Sequence, residues 1–80
     1  MKSFQADHSK NIIGKKIVYY RKNHQPPLTQ KELSDKLRGF NVHLDRYAIS
    51  RIESGDRFVA DYEIVALAHA LNVTPEELLL

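Results

Sequence analysis

Residues 28–34 read LTQKELS and residues 48–55 read AISRIESG, and these two stretches carry the strongest structural signals in the chain. In the first stretch, Thr29 and Glu32 have the spacing of a capping box. The threonine hydroxyl then accepts a hydrogen bond from the Glu32 amide, and the glutamate carboxylate accepts one from the Thr29 amide. Gly39 is suited to ending the helix that begins there. The first stretch therefore predicts a short helix between Thr29 and Gly39.

The second stretch predicts another short helix. Asp45 lies just before it and is a good N-cap residue. Ile49 and Ile52 lie about one turn apart and supply an apolar face. Gly55 can adopt the left-handed conformation that ends a helix. The sequence thus predicts two consecutive helices joined by a connection.

Three more helices are predicted on either side of this pair. Residues 11–23 carry an apolar stripe between basic residues, with Asn11 as the N-cap. Asp61 is expected to cap a fourth helix, and Thr74 with the proline after it begins a fifth. No segment alternates over the length of a strand, except residues 40–44, which have no obvious partner. The predicted fold class is all-α.

The composition is typical of one small globular domain. The chain has 80 residues, 42% of them hydrophobic and 28% charged, and it has no cysteine for a disulfide or a thiolate metal site. Residues 1–57 contain all twelve Lys and Arg against six acidic residues, a net charge of +6, whereas residues 58–80 contain only four acidic residues, a net charge of −4. The asymmetry indicates that the first part faces a polyanion, although chance clustering of surface charge would give the same pattern.

The sequence offers little chemistry for catalysis. His8, His24, His43 and His69 are widely spaced and form no i, i+4 pair of metal ligands. The three glycines are isolated, so they form no loop that cradles a phosphate, and no carboxylates cluster beside a histidine. We therefore expect a protein that is not an enzyme, uses no cofactor or metal ion, and has no small-molecule substrate.

Four segments in the same order resemble a known family. They are residues 13–21 (IGKKIVYYR), 28–34, 48–55 and 67–78 (LAHALNVTPEEL). Together they are similar to the Cro and phage-repressor type of helix-turn-helix DNA-binding domain, the XRE-like or lambda-repressor-like group. The resemblance implies a compact five-helix domain whose helix-turn-helix is formed by helices 2 and 3. The connection between those helices is longer than is usual in the family, and the extra residues fall at 39–43.

The resemblance also implies which residues contact DNA bases. The recognition helix would be helix 3, with Arg46, Tyr47 and Arg51 reading base edges in the major groove. Arginine suits the O6 and N7 atoms of guanine. Tyr47 can contact a thymine methyl group or a phosphate, or it can pack over the connection between helices 2 and 3 instead.

Further residues are expected to hold the DNA backbone or the fold. Gln30 resembles a glutamine that binds a phosphate and braces the recognition helix, and its alternative is an ordinary exposed residue in a first turn. Arg21 and Glu53 resemble the buried ion pair of the family. In the enlarged connection, Phe40 and Val42 are expected to pack into the core, or else Asn41 and His43 touch the DNA backbone. The expected phosphate contacts are Thr29, Gln30, Ser50, Arg57 and Lys10. The alternative for Arg57 and Lys10 is a solvated charge, and the alternative for Thr29 is a helix cap alone.

These observations predict a division into two parts and a cellular location. Residues 1–10 are expected to form a flexible basic arm, and residues 11–80 the helix-turn-helix domain, which is expected to be either a whole protein or the N-terminal module of a longer one. No apolar run is long enough to span a membrane, and the first residues do not read as a signal peptide. We therefore expect a cytoplasmic, nucleoid-associated protein.

The predicted function is sequence-specific binding of double-stranded DNA by a transcriptional regulator, with repression as its mode. The resemblance implies a homodimer on a pseudo-palindromic operator, and the apolar residues 78–80 are expected to contact the second subunit or a following domain. The alternative is a helix-turn-helix module that binds another protein, such as an antitoxin-like or accessory subunit, because a fold alone does not settle function.

Overall fold

A computed structural model describes residues 9–80, which form five helices and no strand. The all-α prediction is confirmed. The predicted basic arm lies outside the described residues, except for Ser9 and Lys10. The helices are α1 (Gly14–Lys22), α2 (Gln30–Arg38), α3 (Arg46–Glu53), α4 (Asp61–Leu71) and α5 (Pro75–Leu79).

Local hydrogen bonds start α2, α3 and α5 where the sequence predicts. The Thr29 hydroxyl accepts from the Glu32 amide at 3.0 Å, and Glu32 Oε1 accepts from the Thr29 amide at 2.8 Å. The same reciprocal pair begins α5, where the hydroxyl of Thr74 faces the third helical residue. Asp45 Oδ1 accepts from the Ala48 amide at 2.8 Å and caps α3. Each cap supplies acceptors to helix amides that have no partner within the helix.

Two predicted helix starts are wrong in detail. Asp61 is not the cap of α4 but its first residue, and the cap position belongs to Ala60, which has no side-chain acceptor. The carboxylate of Glu63 accepts from the Ala60 amide at 2.9 Å, which is the half of a capping box that needs no cap side chain. At α1, helical structure begins at Gly14 rather than at Asn11. Asn11 Oδ1 nevertheless accepts from the amides of residues 13 and 14, so this side chain still caps the helix.

The hydrophobic core lies between all five helices. Ile17 comes from α1, Leu33 and Leu37 from α2, and Leu67 from α4, and none of these side chains has any exposed surface. Leu78 of α5 is 1% exposed and packs into the core, so within the apolar residues 78–80 only Leu79 and Leu80, which are 38% and 88% exposed, are free to contact a second subunit or a following domain. Ile49 and Ile52 attach α3 to this core, and their burial leaves the opposite side of α3 at the surface.

A close contact between backbones joins α1 to the end of α3. A Cβ atom added to Gly14 would collide with the carbonyl oxygen of Ile52. The side chain of Asn11 reinforces this contact, since its Nδ2 donates to the carbonyls of Ile52 at 3.1 Å and Arg57 at 2.9 Å. Glycine at position 14 therefore lets α1 hold α3 at a fixed distance.

The enlarged connection between α2 and α3 packs back onto the domain. Val42 is 7% exposed, in agreement with the prediction for this residue, and the Ser34 hydroxyl donates to the carbonyl of Leu44 at 2.6 Å. Phe40 is not in the core but half exposed, with its ring stacked on His69 of α4 at 5.5 Å between centroids. Asn41 rather than a glycine takes the left-handed turn, at φ 61°. The insertion therefore lies against α2 and α4.

Candidate nucleic-acid interface

The outer face of α3 presents all three side chains that were expected to read bases. Arg46, Tyr47, Ser50 and Arg51 are exposed, and the aromatic side chain of Tyr47 is 67% exposed. Residues three and four positions apart are neighbours on a helix, so these four side chains form one continuous surface. We call it the α3 face. This exposure leaves only a minor part of the Tyr47 side chain for packing over the connection between α2 and α3.

Arg46 and Tyr47 lie together at the first turn of α3. Arg46 Nη2 donates to the Tyr47 hydroxyl at 3.3 Å, and the guanidinium carbon lies 5.1 Å from the centre of the ring. The hydrogen bond to Tyr47 raises the pKa of Arg46 above its ordinary value. Because the N-terminus of a helix carries a partial positive charge, this end of α3 favours an anion nearby.

Arg51 has a partner that it can release at low cost. Its Nε lies 3.7 Å from Asp56 Oδ2, and its Nη2 donates to the Asp56 carbonyl at 3.3 Å. The side chains of both residues are more than half exposed. Exposed ion pairs contribute about 0–1 kcal/mol. The guanidinium is therefore available to another acceptor on the α3 face.

Gln30 connects two helices instead of standing free in solvent. Its Nε2 donates to Glu53 Oε1 at 2.9 Å, and Glu53 in turn accepts two hydrogen bonds from Arg21. Arg21 also donates to the carbonyl of Leu28 at 3.0 Å. The expected Arg21–Glu53 pair is therefore present, and Gln30 braces α3 from the first turn of α2, as the resemblance implies.

Thr29, Ser50 and Lys10, which were also expected to contact phosphates, lie on three separate segments. Thr29 and Ser50 are exposed, and the Thr29 hydroxyl is occupied by the cap of α2. The amide of Lys10 donates to the carbonyl of Gly55 at 2.8 Å, and its Nζ lies 5.9 Å from the centre of the Phe58 ring. Lys10 therefore lies against the segment that follows α3, at Gly55 and Phe58.

Arg57 forms an ion pair that the sequence analysis did not predict. Its Nη1 donates to Glu63 Oε1 at 2.9 Å, and its Nη2 donates to Glu63 Oε2 at 3.2 Å. Burial of Glu63 alone would raise the pKa of its carboxyl group, but hydrogen bonds from Arg57 and the Ala60 amide outweigh it and hold that pKa below its ordinary value. Glu63 lies three residues after the cap position, as the glutamate of a capping box does. Because Ala60 has no hydroxyl, the sequence shows no recognisable capping box there.

A second exposed surface is apolar and lies at α4 and α5. Phe58, Tyr62 and Val65 are 68%, 65% and 45% exposed. Leu79, from α5, lines a surface cavity of about 240 Å³ together with Phe58 and Ile12. Tyr62 and Val65 lie three positions apart and are neighbours on α4. Exposed groups of large apolar side chains are typical of interaction sites. We call this set of five side chains the apolar surface.

Residues 9–80 contain neither a membrane-spanning helix nor a cluster of metal ligands. Each helix in the described part of the chain is too short or too polar to span a bilayer. Within residues 9–80, His, Asp and Glu side chains nowhere gather in threes that could hold a metal ion.

Comparison with known proteins identifies a solved relative. No family model matches the chain, and no curated protein matches it. Among solved structures, it is similar to the restriction-modification controller protein C.AhdI from Aeromonas hydrophila, with 32% sequence identity and a TM-score of 0.71. The similarity covers 91% of this chain and 97% of that one. The chain therefore belongs to the family of XRE/Cro-like helix-turn-helix regulators.

Proposed function

We propose that the protein is a transcriptional regulator that binds double-stranded DNA sequence-specifically and reads the major groove with α3. The observation that carries the proposal is the α3 face, on which Arg46, Tyr47 and Arg51 are all exposed while Ile49 and Ile52 anchor the helix in the core. The similar solved structure is that of a restriction-modification controller protein, which supports a regulatory role and binding without catalysis.

In this proposal, two kinds of contact have separate roles. Arg46 and Arg51 donate to the O6 and N7 atoms of guanine, and each bidentate contact gives about 1–3 kcal/mol of discrimination against the wrong base. Tyr47 contacts a thymine methyl group or a phosphate. Contacts to phosphates fix the register of the protein on the duplex without selecting a sequence. Those contacts come from Thr29, Gln30, Ser50, Arg57 and Lys10.

We further propose a homodimer on a pseudo-palindromic operator, with half-sites about one helical turn of DNA apart. The apolar surface supports it, because Phe58, Tyr62 and Val65 are exposed on a part of the chain, residues 58–80, that contains no Lys or Arg and would be repelled by DNA. A dimer that covers an operator acts as a repressor by excluding other proteins from it. Such a regulator works in the cytoplasm, associated with the nucleoid.

Selection of bound duplexes from a random DNA library tests the proposal. We expect an enriched motif with two related halves, and an affinity that falls steeply as the salt concentration rises, because binding to phosphates releases counterions. Sedimentation of the protein with the selected duplex then gives the number of subunits bound. Failure to enrich any motif, with no salt-dependent binding to duplex DNA, would contradict the proposal and favour the alternative, a helix-turn-helix module that binds another protein.

A further inference from the structure

The Arg57–Glu63 pair is held rigidly by the backbone around it. Glu63 Oε1 accepts hydrogen bonds from both Arg57 Nη1 and the Ala60 amide, each at 2.9 Å. Arg57 Nη1 also donates to the carbonyl of Phe58 at 2.9 Å. The Glu63 side chain is only 9% exposed, so its carboxylate is fixed at the first turn of α4. The guanidinium of Arg57 is therefore held in place by the Glu63 carboxylate and the Phe58 carbonyl.

These contacts use one edge of the guanidinium and leave the other edge available. A guanidinium has five N–H donors in a planar fork. Both hydrogens of Nη1 and one hydrogen of Nη2 are engaged by Glu63 and Phe58. The donors on Nε and on the other side of Nη2 have no partner among residues 9–80. These two donors point in parallel, which is the geometry that binds a phosphate in a bidentate manner.

The segment that carries Arg57 reaches the surface and holds a second basic residue, Lys10. The Arg57 side chain is 28% exposed, so it reaches the surface although it is paired. The amide of Lys10 donates to the carbonyl of Gly55, and its Nζ lies 5.9 Å from the centre of the ring of Phe58, the residue that follows Arg57. This segment directly follows α3, so Arg57 and the α3 face belong to one continuous part of the chain.

We propose that Glu63 is a positioning residue for DNA binding, which holds Arg57 so that its Nε and Nη2 edge receives a backbone phosphate. The inference rests on the proposed function, since it assigns a role within the same DNA interface. Glu63 does not touch the DNA in this arrangement. An arginine that is already immobilised loses less side-chain entropy when it binds, so the positioning strengthens binding by about three- to tenfold.

If Glu63 only neutralises the charge of Arg57, Glu63 is expected to weaken DNA binding instead of strengthening it. In that case the carboxylate weakens the attraction of Arg57 for DNA, and removing its charge strengthens binding. Glu63→Gln distinguishes the two roles because it removes the charge and one acceptor but keeps an oxygen for the Ala60 amide. Asp61→Asn is the matched control. Asp61 is an exposed acid in the same turn of α4 and makes no contact with Arg57.

The test measures binding of the full chain to a short, labelled duplex of mixed sequence over a salt series. The variants are Glu63→Gln, Arg57→Ala, both together, and Asp61→Asn, each at a temperature where thermal melting shows it folded. We expect Glu63→Gln to bind about three- to tenfold more weakly, with no further loss when it is added to Arg57→Ala. Arg57→Ala should lower the slope of log affinity against log salt by about one. Asp61→Asn should not weaken binding.

Three results would overturn the inference. The first is that Glu63→Gln binds DNA as tightly as the unaltered protein or more tightly. The second is that Glu63→Gln lowers the DNA affinity equally in the unaltered protein and in Arg57→Ala. The third is that Arg57→Ala binds DNA as tightly as the unaltered protein. The second of these shows a structural effect that does not act through Arg57. If the unaltered protein binds no duplex DNA at any salt concentration, the proposed function fails and this inference fails with it. If the unaltered protein binds and the Glu63 variant behaves otherwise than expected, the inference alone fails.

Discussion

Arg21 and Glu53 are 32 positions apart in sequence and form a bidentate ion pair, with Nε–Oε2 at 2.7 Å and Nη2–Oε1 at 3.0 Å. Their side chains are only 12% and 8% exposed. Gln30 donates to the same carboxylate, and Arg21 also donates to the carbonyl of Leu28. One buried carboxylate thus connects α1, α2 and the last turn of α3, and so it helps to fix the orientation of the α3 face.

Removing either partner of this pair should strongly destabilise the protein. We expect Arg21→Ala or Glu53→Gln to lower the free energy of unfolding by about 3–5 kcal/mol, because the partner left behind has lost its counter-charge in a buried place. Urea unfolding measures the change, and a double-mutant cycle measures the coupling. Lys31→Ala is the control, since its pair with Asp35 is exposed, and it should cost less than about 1 kcal/mol. Additive effects of the two substitutions at Arg21 and Glu53 would contradict the prediction.

Gly14→Ala should also destabilise the protein, by about 1–3 kcal/mol. The new methyl group meets the backbone carbonyl of Ile52, which cannot move without shifting α3 relative to α1. Gly39→Ala is the matched control, because Gly39 has an ordinary helical φ of −64° and its added Cβ would meet one atom, the Lys36 carbonyl oxygen, at 3.2 Å, a tight contact but no collision. The midpoints of thermal unfolding compare the two variants. If Gly14→Ala and Gly39→Ala have equal midpoints, the prediction of a close backbone contact between α1 and α3 at Gly14 is wrong.

Arg46→Ala and Arg51→Ala should change DNA selectivity and leave stability nearly unchanged. Exposed surface substitutions usually alter stability by less than about 0.5 kcal/mol. Loss of a bidentate guanine contact relaxes the preference at one base position by about 1–3 kcal/mol. Selection from a random library with each variant measures the preference. Lys36→Ala serves as the control, because this exposed basic residue of α2 is not assigned a DNA contact. Unaltered selectivity in both arginine variants would remove them from the proposed interface.

Glu63 should contribute to the loss of stability at low pH. The folded protein holds the pKa of Glu63 below its ordinary value of 4.5, so folding favours the charged carboxylate. The resulting stabilisation is present above the pKa of the unfolded chain and disappears as the pH falls through the lower pKa of the folded protein. Urea unfolding at neutral and acidic pH should therefore show a smaller pH dependence for Glu63→Gln than for the unaltered protein. If the free energy of unfolding depends on pH identically in the two proteins, the pKa of Glu63 is not lowered by folding.

The parts of the fold that depend on neighbours in sequence were predictable. The capping boxes at Thr29 and Thr74 and the cap at Asp45 each join residues three positions apart, so residue type and spacing suffice to recognise them. The periodicity that places Ile49 and Ile52 in the core also predicts that Arg46, Tyr47 and Arg51 lie at the surface. The start of α4 was predicted wrongly because Asp61 is a good cap residue by type, while the carboxylate that serves Ala60 comes from inside the helix.

The sequence by itself determined the five helices, the side of α3 that faces the core, and the separation of basic from acidic residues. Only the tertiary structure decided that Phe40 stacks on His69 and that Arg57 pairs with Glu63. It alone also showed that Gly14 lies against the Ile52 carbonyl. The physical reason is that helix caps and amphipathic faces are set by residues within about one turn of each other. Contacts between distant segments depend instead on how the helices pack, and composition and spacing do not encode that directly.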